Sequence, residues 1–340
     1  MTTEVFRLYG NCVPVRGARR SLLCDLQKGR AHFIPNGLYG ILTELGHLSV
    51  EEIKDSFERE CDAVIDGYME FLVREDYGFF TDEPEKFPPV PLEWDRPEAV
   101  TNAIIDADRD SAHDYGAILD QLDELGCQAL QLRCHDALSR EELFQLLQAT
   151  GGRRLRHLDL ILAYTPELDL ECLGELCLQH QWVYRILLHS SPFDDTRRLE
   201  PLGTYVVFQS AKFDADHCGQ VEVGYFSVNL QHFSEAQHFN TCLNRKLSIT
   251  ADGEIKNCPS MLRSLGNVRT TALADAVRHP SLVQLGRITK DQVEVCRECE
   301  FRYICTDCRV YTRDFRHPYA KPRRCGYDPR TATWTETGDV

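Results

Sequence analysis

The hydrophobic pattern of the N-terminal part changes from strands to helices. Short apolar segments within residues 5–35 (VFRLYG, RSLLCDL and RAHFIP) predict β-strands, and a helical pattern begins at Leu38 and continues through two further segments. The third helix is predicted at Asp62–Arg74, and the YGFFTD that follows predicts a return strand. Because strands, three helices and a small β wing make up a winged helix, we predict such a domain at residues 1–82.

A different rhythm follows, in which apolar strands alternate with helical stretches. The predicted strands are Ala103–Asp106, Ala129–Arg133, Leu158–Ala163, Val183–Leu188 and Tyr205–Phe208. Their starts are about 20–30 residues apart, which fits parallel βαβ units. We therefore predict an α/β fold with an incomplete (β/α) barrel at residues 98–225 and keep a doubly wound sheet as the alternative.

Proline and cysteine positions mark the other boundaries. Five prolines lie between Asp82 and Pro97, so residues 83–97 cannot continue a helix and are predicted to form an ordered linker. Seven of the fifteen cysteines lie between Cys242 and Cys325. We therefore treat residues 226–340 as a cysteine-rich domain.

Charge divides the chain near the same place. Residues 1–240 carry a net charge of −20 and residues 241–340 a net charge of +5. The positive residues are interleaved with the cysteines, as expected around anionic thiolate-ligated clusters, and the acidic remainder argues against nucleic acid as a partner. With no segment of membrane-spanning length and no secretory signal pattern, we expect a cytoplasmic protein.

The spacing of the seven cysteines indicates metal chemistry. The array consists of Cys242, Cys258, Cys296, Cys299, Cys305, Cys308 and Cys325. Two intervening residues let both sulfurs of a tight turn face one metal centre, and five let the chain offer a third. LSITADGEIK predicts a β-hairpin around Asp252-Gly253 that returns Cys258 to the side of Cys242.

A zinc site is the plainer alternative, because paired CxxC motifs are common zinc ligands. Cys296, Cys299, Cys305 and Cys308 would suffice for one zinc ion, but that leaves three cysteines of the array unexplained. Upstream, the cysteines form no ligand set and are expected to be buried structural residues. They are Cys12, Cys24, Cys61, Cys127, Cys134, Cys172 and Cys177.

The array resembles the SPASM domain of peptide-modifying radical SAM enzymes, in which two auxiliary [4Fe–4S] clusters are ligated in interleaved fashion. The resemblance implies that the second cluster is held by Cys296, Cys299, Cys305 and Cys325. It implies that Cys242, Cys258 and Cys308 hold three irons of the first. This chain departs from the usual spacing because two residues, not three, precede Cys308.

Seven cysteines cannot give four ligands to each of two clusters. Family members with a full set have a further cysteine a few residues before the Cys242 position, where this chain has Ala236. Either the first cluster has an open iron, or a nearby residue such as His238 or Cys218 completes it. Neither is included in the predicted ligand set.

The signatures of the radical SAM reaction are missing. Radical SAM enzymes need CxxxCxxC after the first barrel strand, but here TNAIID is followed by ADRDSAH. After the next strand, where the family has a GGE-like turn, this chain has Cys134-His-Asp-Ala. We therefore do not expect SAM as a cofactor. The acidic loop that contains Asp108 and Asp110 could bind a hard metal, but a solvated loop is the preferred interpretation.

The whole chain resembles the SPASM-domain peptide maturases of "grasp-with-spasm" systems. The resemblance is carried by NCVPVRG, RSLLCDL, EKFPPVPLEWDRP, TNAIIDAD and CRECEFRYICTDCR. It implies a precursor peptide as substrate, an ATP-grasp ligase as partner, and an N-terminal winged helix that captures the precursor's leader as an added strand. The alternatives are an active SAM-dependent or redox peptide-modifying enzyme and a zinc-binding interaction scaffold.

Overall fold

A computed structural model describes residues 4–213 and 218–335 of the chain. It is a mixed α/β structure that divides into two compact units. One unit contains Met1–Trp94, Gly219–Thr241 and Arg287–Val340, and the other contains Asp95–Cys218 and Cys242–Gly286. The cysteine array is therefore divided by this assignment. Cys242 and Cys258 belong to the second unit, and the other five cysteines of the array belong to the first. The domain boundaries expected from the sequence stay predictions.

The N-terminal elements of the first unit include the three expected helices. They are β1 (Val5–Leu8), β2 (Cys12–Val15), β3 (Ser21–Asp25), β4 (Arg30–Ile34), α1 (Asn36–Glu44), α2 (Val50–Ser56), α3 (Asp62–Arg74) and β5 (Gly78–Thr81). The return strand β5 pairs antiparallel with β1, and β2, β3 and β4 form a separate antiparallel sheet. Strand β2 was missed by the sequence pattern. Whether these elements constitute a winged helix stays a proposal.

The central strand β3 of the small sheet is buried on both faces. Leu23 packs with α1 and α3 in one apolar cluster. Leu22 and Cys24 point the other way and pack with Phe301 of the cysteine-rich segment in a second cluster. This alternation is the ordinary period of two in a strand. It explains why the three central residues of SLLCD are all apolar.

The second unit is built on one eight-stranded, mostly parallel sheet. Its first part contains β6 (Asn102–Ala107), α4 (Tyr115–Glu124), β7 (Ala129–Cys134), α5 (Arg140–Thr150), β8 (His157–Ala163), α6 (Leu170–Gln179), β9 (Val183–His189), β10 (Asp195–Leu199) and β11 (Thr204–Gln209). The five predicted strands are confirmed to within one residue at each end. Strand β10 was not predicted and pairs antiparallel with β11 at the edge.

Strand order and packing favour the incomplete barrel over the doubly wound sheet. The strands β6, β7, β8, β9 and β11 are neighbours in the order in which the chain makes them, and each pair is parallel. Apolar residues of α4, α5 and α6 join Ile105, Leu132 and Leu160 in one core cluster, so these helices share one face of the sheet. A doubly wound sheet has helices on both faces.

The predicted hairpin around Gly253 is confirmed and also extends the large sheet. Strands β12 (Lys246–Ile249) and β13 (Ile255–Lys256) are antiparallel, and Gly253 has a positive φ of 87° that favours glycine. Beyond the prediction, β12 pairs in parallel with β6, from Lys246 beside Asn102 to Ile249 beside Ile105. The hairpin is thus an integral part of the second unit.

The remaining elements are short. They are α7 (Leu230–His238), α8 (Leu273–Ala276), α9 (Pro280–Gly286), β14 (Tyr327–Asp328) and β15 (Thr333–Trp334). No helix in residues 4–213 or 218–335 is long and apolar enough to cross a membrane. The chain that carries most of the cysteines is consequently held by turns and side-chain bonds rather than by long helices or strands.

Candidate functional site

The β12–β13 hairpin brings two of the predicted ligands together. Cys242 precedes β12 and Cys258 follows β13, and the buried Asn257 side chain fastens the two ends. Its Nδ2 donates to the carbonyl oxygens of Leu243 and Lys246 at 2.9 and 2.8 Å. Burial raises the pKa of Cys258, and the charges of Cys242 and Cys218 act in the same direction. Cys218 is therefore a neighbour of this pair within the second unit.

In the first unit a chain of tight turns presents three more cysteines. Val295, with a positive φ of 65°, precedes a 3₁₀ turn over Cys296–Glu298, and the Cys299 N–H donates to the Cys296 carbonyl at 2.9 Å. The Cys305 N–H donates to the Phe301 carbonyl at 3.0 Å. Both C-x2-C and C-x5-C spacings therefore close into turns, as predicted.

The four cysteines that the sequence assigns to the second cluster are electrostatic neighbours. They are Cys296, Cys299, Cys305 and Cys325. Burial raises the pKa of Cys296 to about 12, with the charges of Cys325 and Cys305 adding to the rise. Burial likewise raises the pKa of Cys299, and Cys296 and Cys305 add to it. Burial therefore favours the neutral thiol at Cys296 and Cys299 in the metal-free chain, so metal binding must displace their protons.

A buried lysine lies beside these sulfurs. Lys290 is 5% exposed, and its Nζ donates to the carbonyl oxygens of Cys305 and Thr306 at 2.8 and 2.7 Å. Burial alone would lower the pKa of Lys290, but the nearby charges of Cys305 and Asp307 raise it overall. In return, Lys290 lowers the pKa of Cys305 against the effect of burial. Lys290 therefore offsets part of the effect that burial has on the pKa of Cys305.

A buried ion pair holds the loop between Cys305 and Cys308. Asp307 and Arg309 are almost fully buried, with Arg309 Nη2 2.6 Å from Asp307 Oδ1. Asn240 Nδ2 donates to the other carboxylate oxygen at 2.9 Å, and Arg309 Nη1 donates to the Ala320 carbonyl at 2.8 Å. These bonds join α7, the cysteine loop and the chain that leads to Cys325 within the first unit.

A second buried carboxylate fastens the turn to the N-terminal strands. Glu300 is fully buried, forms an ion pair with Arg20 at 2.9 Å and accepts a hydrogen bond from the Tyr327 hydroxyl. The Ala18 N–H donates to the Glu298 carbonyl at 2.8 Å. The position of the C-x2-C turn therefore depends on residues almost three hundred positions earlier in the chain.

Cys308 and His238 have different surroundings from those of the four sulfurs. Gly219 has a positive φ of 78°, and a Cβ atom placed on it would lie 3.1 Å from the Cys308 sulfur. The chain before α7 thus passes close to Cys308. His238 Nε2 lies 3.2 Å from the Leu92 carbonyl oxygen. That contact gives His238 a structural partner.

The acidic loop after β6 is occupied with its own hydrogen bonds. Asp108 Oδ1 accepts from the Asp110 N–H and the Ser111 hydroxyl at 3.0 and 2.9 Å, and His113 Nε2 lies 2.9 Å from the Asp106 carbonyl oxygen. Within the part of the chain that the structure describes, no three His, Cys, Asp or Glu side chains are arranged to hold one metal ion. Sulfur ligands of a four-iron cluster lie further apart than the about 3.8 Å edge of a zinc tetrahedron.

Sequence reasoning missed the charged groups around the cysteines. Lys290, Asp307 and Arg309 resemble the other charged residues of a basic segment, and only their burial distinguishes them. The only available signal was the interleaving of basic residues with cysteines. That signal indicates charge near the sulfurs but cannot say which residue is buried.

Comparison with known proteins supports the identity of the cysteine-rich segment. Residues 241–300 match the model of the SPASM family, an iron–sulfur cluster-binding domain. The matched range includes Cys242, Cys258, Cys296 and Cys299 and ends before the last three cysteines of the array. No curated protein matches this chain.

Two solved structures align with almost the whole chain at low similarity. The crystal structure of Streptococcus suis SuiB bound to S-adenosylmethionine has 12% sequence identity and a TM-score of 0.30, covering 100% of this chain and 99% of that chain. The crystal structure of Streptococcus suis SuiB bound to the precursor peptide SuiA has 11% identity and a TM-score of 0.29, covering 93% and 98%.

The Asp307–Arg309 pair predicts a large effect of a small substitution. Arg309→Met leaves the Asp307 carboxylate buried without its cation. This should lower the free energy of unfolding by about 3–5 kcal/mol. We expect a lower midpoint of thermal unfolding and less iron bound after anaerobic reconstitution. The exposed pair Arg330–Glu298 supplies the control, because Arg330→Met there should change neither quantity appreciably. Equal effects of both substitutions would contradict the assigned role.

Proposed function

We propose that this protein is an iron–sulfur SPASM-domain maturase that acts on a ribosomally synthesised peptide. One observation carries the proposal: Cys296 and Cys305 are buried near the buried Lys290, and the charges of Cys296, Cys299, Cys305 and Cys325 interact within the first unit. The match of residues 241–300 to an iron–sulfur cluster-binding family supports the same assignment. The ATP-grasp ligase and the leader of the precursor enter the proposal from the sequence resemblance alone.

The donor set fits [4Fe–4S] clusters. Thiolate sulfur is the ordinary ligand of such clusters, and Cys296, Cys299, Cys305 and Cys325 supply four. When bound, the clusters supply one-electron chemistry or an iron that can bind a ligand. The protein itself surrounds the sulfurs with other residues and fixes the turns through Asp307 and Glu300. Lys290 compensates the negative charge of the thiolates.

The first cluster remains assigned from the sequence to Cys242, Cys258 and Cys308. For its fourth ligand, we favour Cys218 over His238. The charge of Cys218 acts on Cys258 within the second unit, whereas His238 lies against the Leu92 carbonyl within the first.

Iron and acid-labile sulfide analysis tests the clusters. We expect about eight irons per chain after anaerobic reconstitution, and about half of that for Cys305→Ser, because each [4Fe–4S] cluster depends on its complete ligand set. Cys172→Ser is the control, since Cys172 is buried in α6 and belongs to no predicted ligand set. A colourless protein with stoichiometric zinc would refute the proposal and favour the zinc scaffold.

The same preparation tests the fourth ligand. Cys218→Ala should alter the Mössbauer or EPR signature of one cluster, whereas His238→Ala should leave both signatures unchanged. The opposite result would exchange the two assignments. No change in either variant would indicate an open iron.

The N-terminal sheet offers an edge for a leader peptide. Within the described residues, β4 pairs only with β3, so its other edge has no strand neighbour. Phe33 on this strand is 48% exposed, and His32 packs against Phe71 of α3 and Tyr77. An extended peptide can add to such an edge through backbone hydrogen bonds while side-chain contacts provide specificity.

Hydrogen–deuterium exchange tests leader binding at β4. The probe is a synthetic leader peptide of a candidate precursor, selected by a search for short reading frames around the gene. We expect slower amide exchange at residues 30–34 and no change at β1 and β5, because an added strand protects only the edge that it pairs with. A scrambled peptide is the control. Protection at β1 and β5 instead would place the leader site elsewhere.

The proposal also predicts that this chain alone does not cleave SAM. The loop between β6 and α4 contains no cysteine, so the three thiolates of the radical SAM triplet are missing there. Incubation of the reduced, reconstituted protein with SAM should give no 5′-deoxyadenosine above a protein-free control, as measured by chromatography. Turnover above that control would instead establish the SAM-dependent alternative.

A further inference from the structure

Lys290 is a buried cation without a carboxylate of its own. Its Nζ has two hydrogen-bond partners, the carbonyl oxygens of Cys305 and Thr306, and both are uncharged. No ion pair within residues 4–213 and 218–335 includes Lys290. A buried charge is costly unless a group of opposite charge is close to it.

The charge of Asp307 acts on Lys290 but is shared with a second cation. Asp307 is already paired with Arg309, at 2.6 Å, and both side chains are buried. Taken together, Asp307, Arg309 and Lys290 leave one positive charge in excess. Four thiolates around a [4Fe–4S]²⁺ cluster retain about two negative charges, so a loaded cluster beside Lys290 would supply the missing opposite charge.

We propose that Lys290 is the buried counter-charge of the cluster held by Cys296, Cys299, Cys305 and Cys325. Its charge raises the reduction potential of that cluster. This inference rests on the proposed iron–sulfur function. Lys290 acts through the cluster and its thiolates, so it is a positioning residue rather than a catalytic one.

The direction of the effect follows from charge. Reduction adds one electron to a cluster that is already negative, and a fixed positive charge nearby stabilises the reduced form more than the oxidised form. Removing the charge of Lys290 should therefore make the potential more negative.

An EPR-monitored redox titration of the reconstituted full-length chain tests the inference. A background of Cys242→Ala with Cys258→Ala removes two predicted ligands of the other cluster and simplifies the spectrum. In it we compare Lys290→Met, which removes the charge, with Lys290→Arg, which keeps it. Lys54→Met is the matched control, because Lys54 is also buried but is paired with Asp66 in the N-terminal part.

We expect a more negative potential for Lys290→Met, a potential close to the parent for Lys290→Arg, and no change for Lys54→Met. Loss of loading in Lys290→Met but not in Lys290→Arg would also support the counter-charge.

Two results overturn the inference. The first is an unchanged reduction potential in a Lys290→Met variant that still holds its cluster. The second is an equal loss of bound cluster in Lys290→Met and Lys290→Arg, which would indicate an effect of packing rather than of charge. Absence of iron and sulfide from the unmodified chain is a different result. It would refute the proposed function itself, so the two failures can be distinguished.

Discussion

The packing of Phe301 is the contact on which the arrangement of the cysteine-rich segment depends. Its ring is 5% exposed and contacts Phe33, Phe226 and Tyr327 at centroid distances of 5.6, 5.0 and 5.0 Å. Because Phe301 lies between Cys299 and Cys305 in sequence, burying it draws both sulfurs inward. Short turns have little core of their own, so this apolar contact supplies the stability that helices supply elsewhere.

Local patterns predicted the elements whose side chains repeat with a clear period. The helix Asp62–Arg74 and the five parallel strands appear where the apolar positions place them. The pattern missed the pairing of β12 with β6, because nothing local to Lys246 indicates a partner near Asn102. Strand Cys12–Val15 was missed for another reason: it is only four residues long and contains a proline.

The sequence could propose the ligands of the candidate site but could not predict their surroundings. Cysteine spacing is a strong local signal, since a tight turn brings both sulfurs to one side. Lys290 and Arg309 carry no such signal, because the sequence does not distinguish a buried basic residue from an exposed one. The fourth ligand of the first cluster also depends on distant chain segments. Sequence could therefore name Cys218 and His238 only as alternatives.

The pairing of β12 with β6 limits how this protein can be divided. A chain that ends before the hairpin would leave the edge of β6 without its parallel neighbour, beside the apolar residues Ala103 and Ile105. Unpaired apolar edges of this kind promote intermolecular strand association. The cysteine-rich segment is therefore poorly suited to exchange between proteins as an independent cassette, and its hairpin and the central sheet are expected to have evolved together.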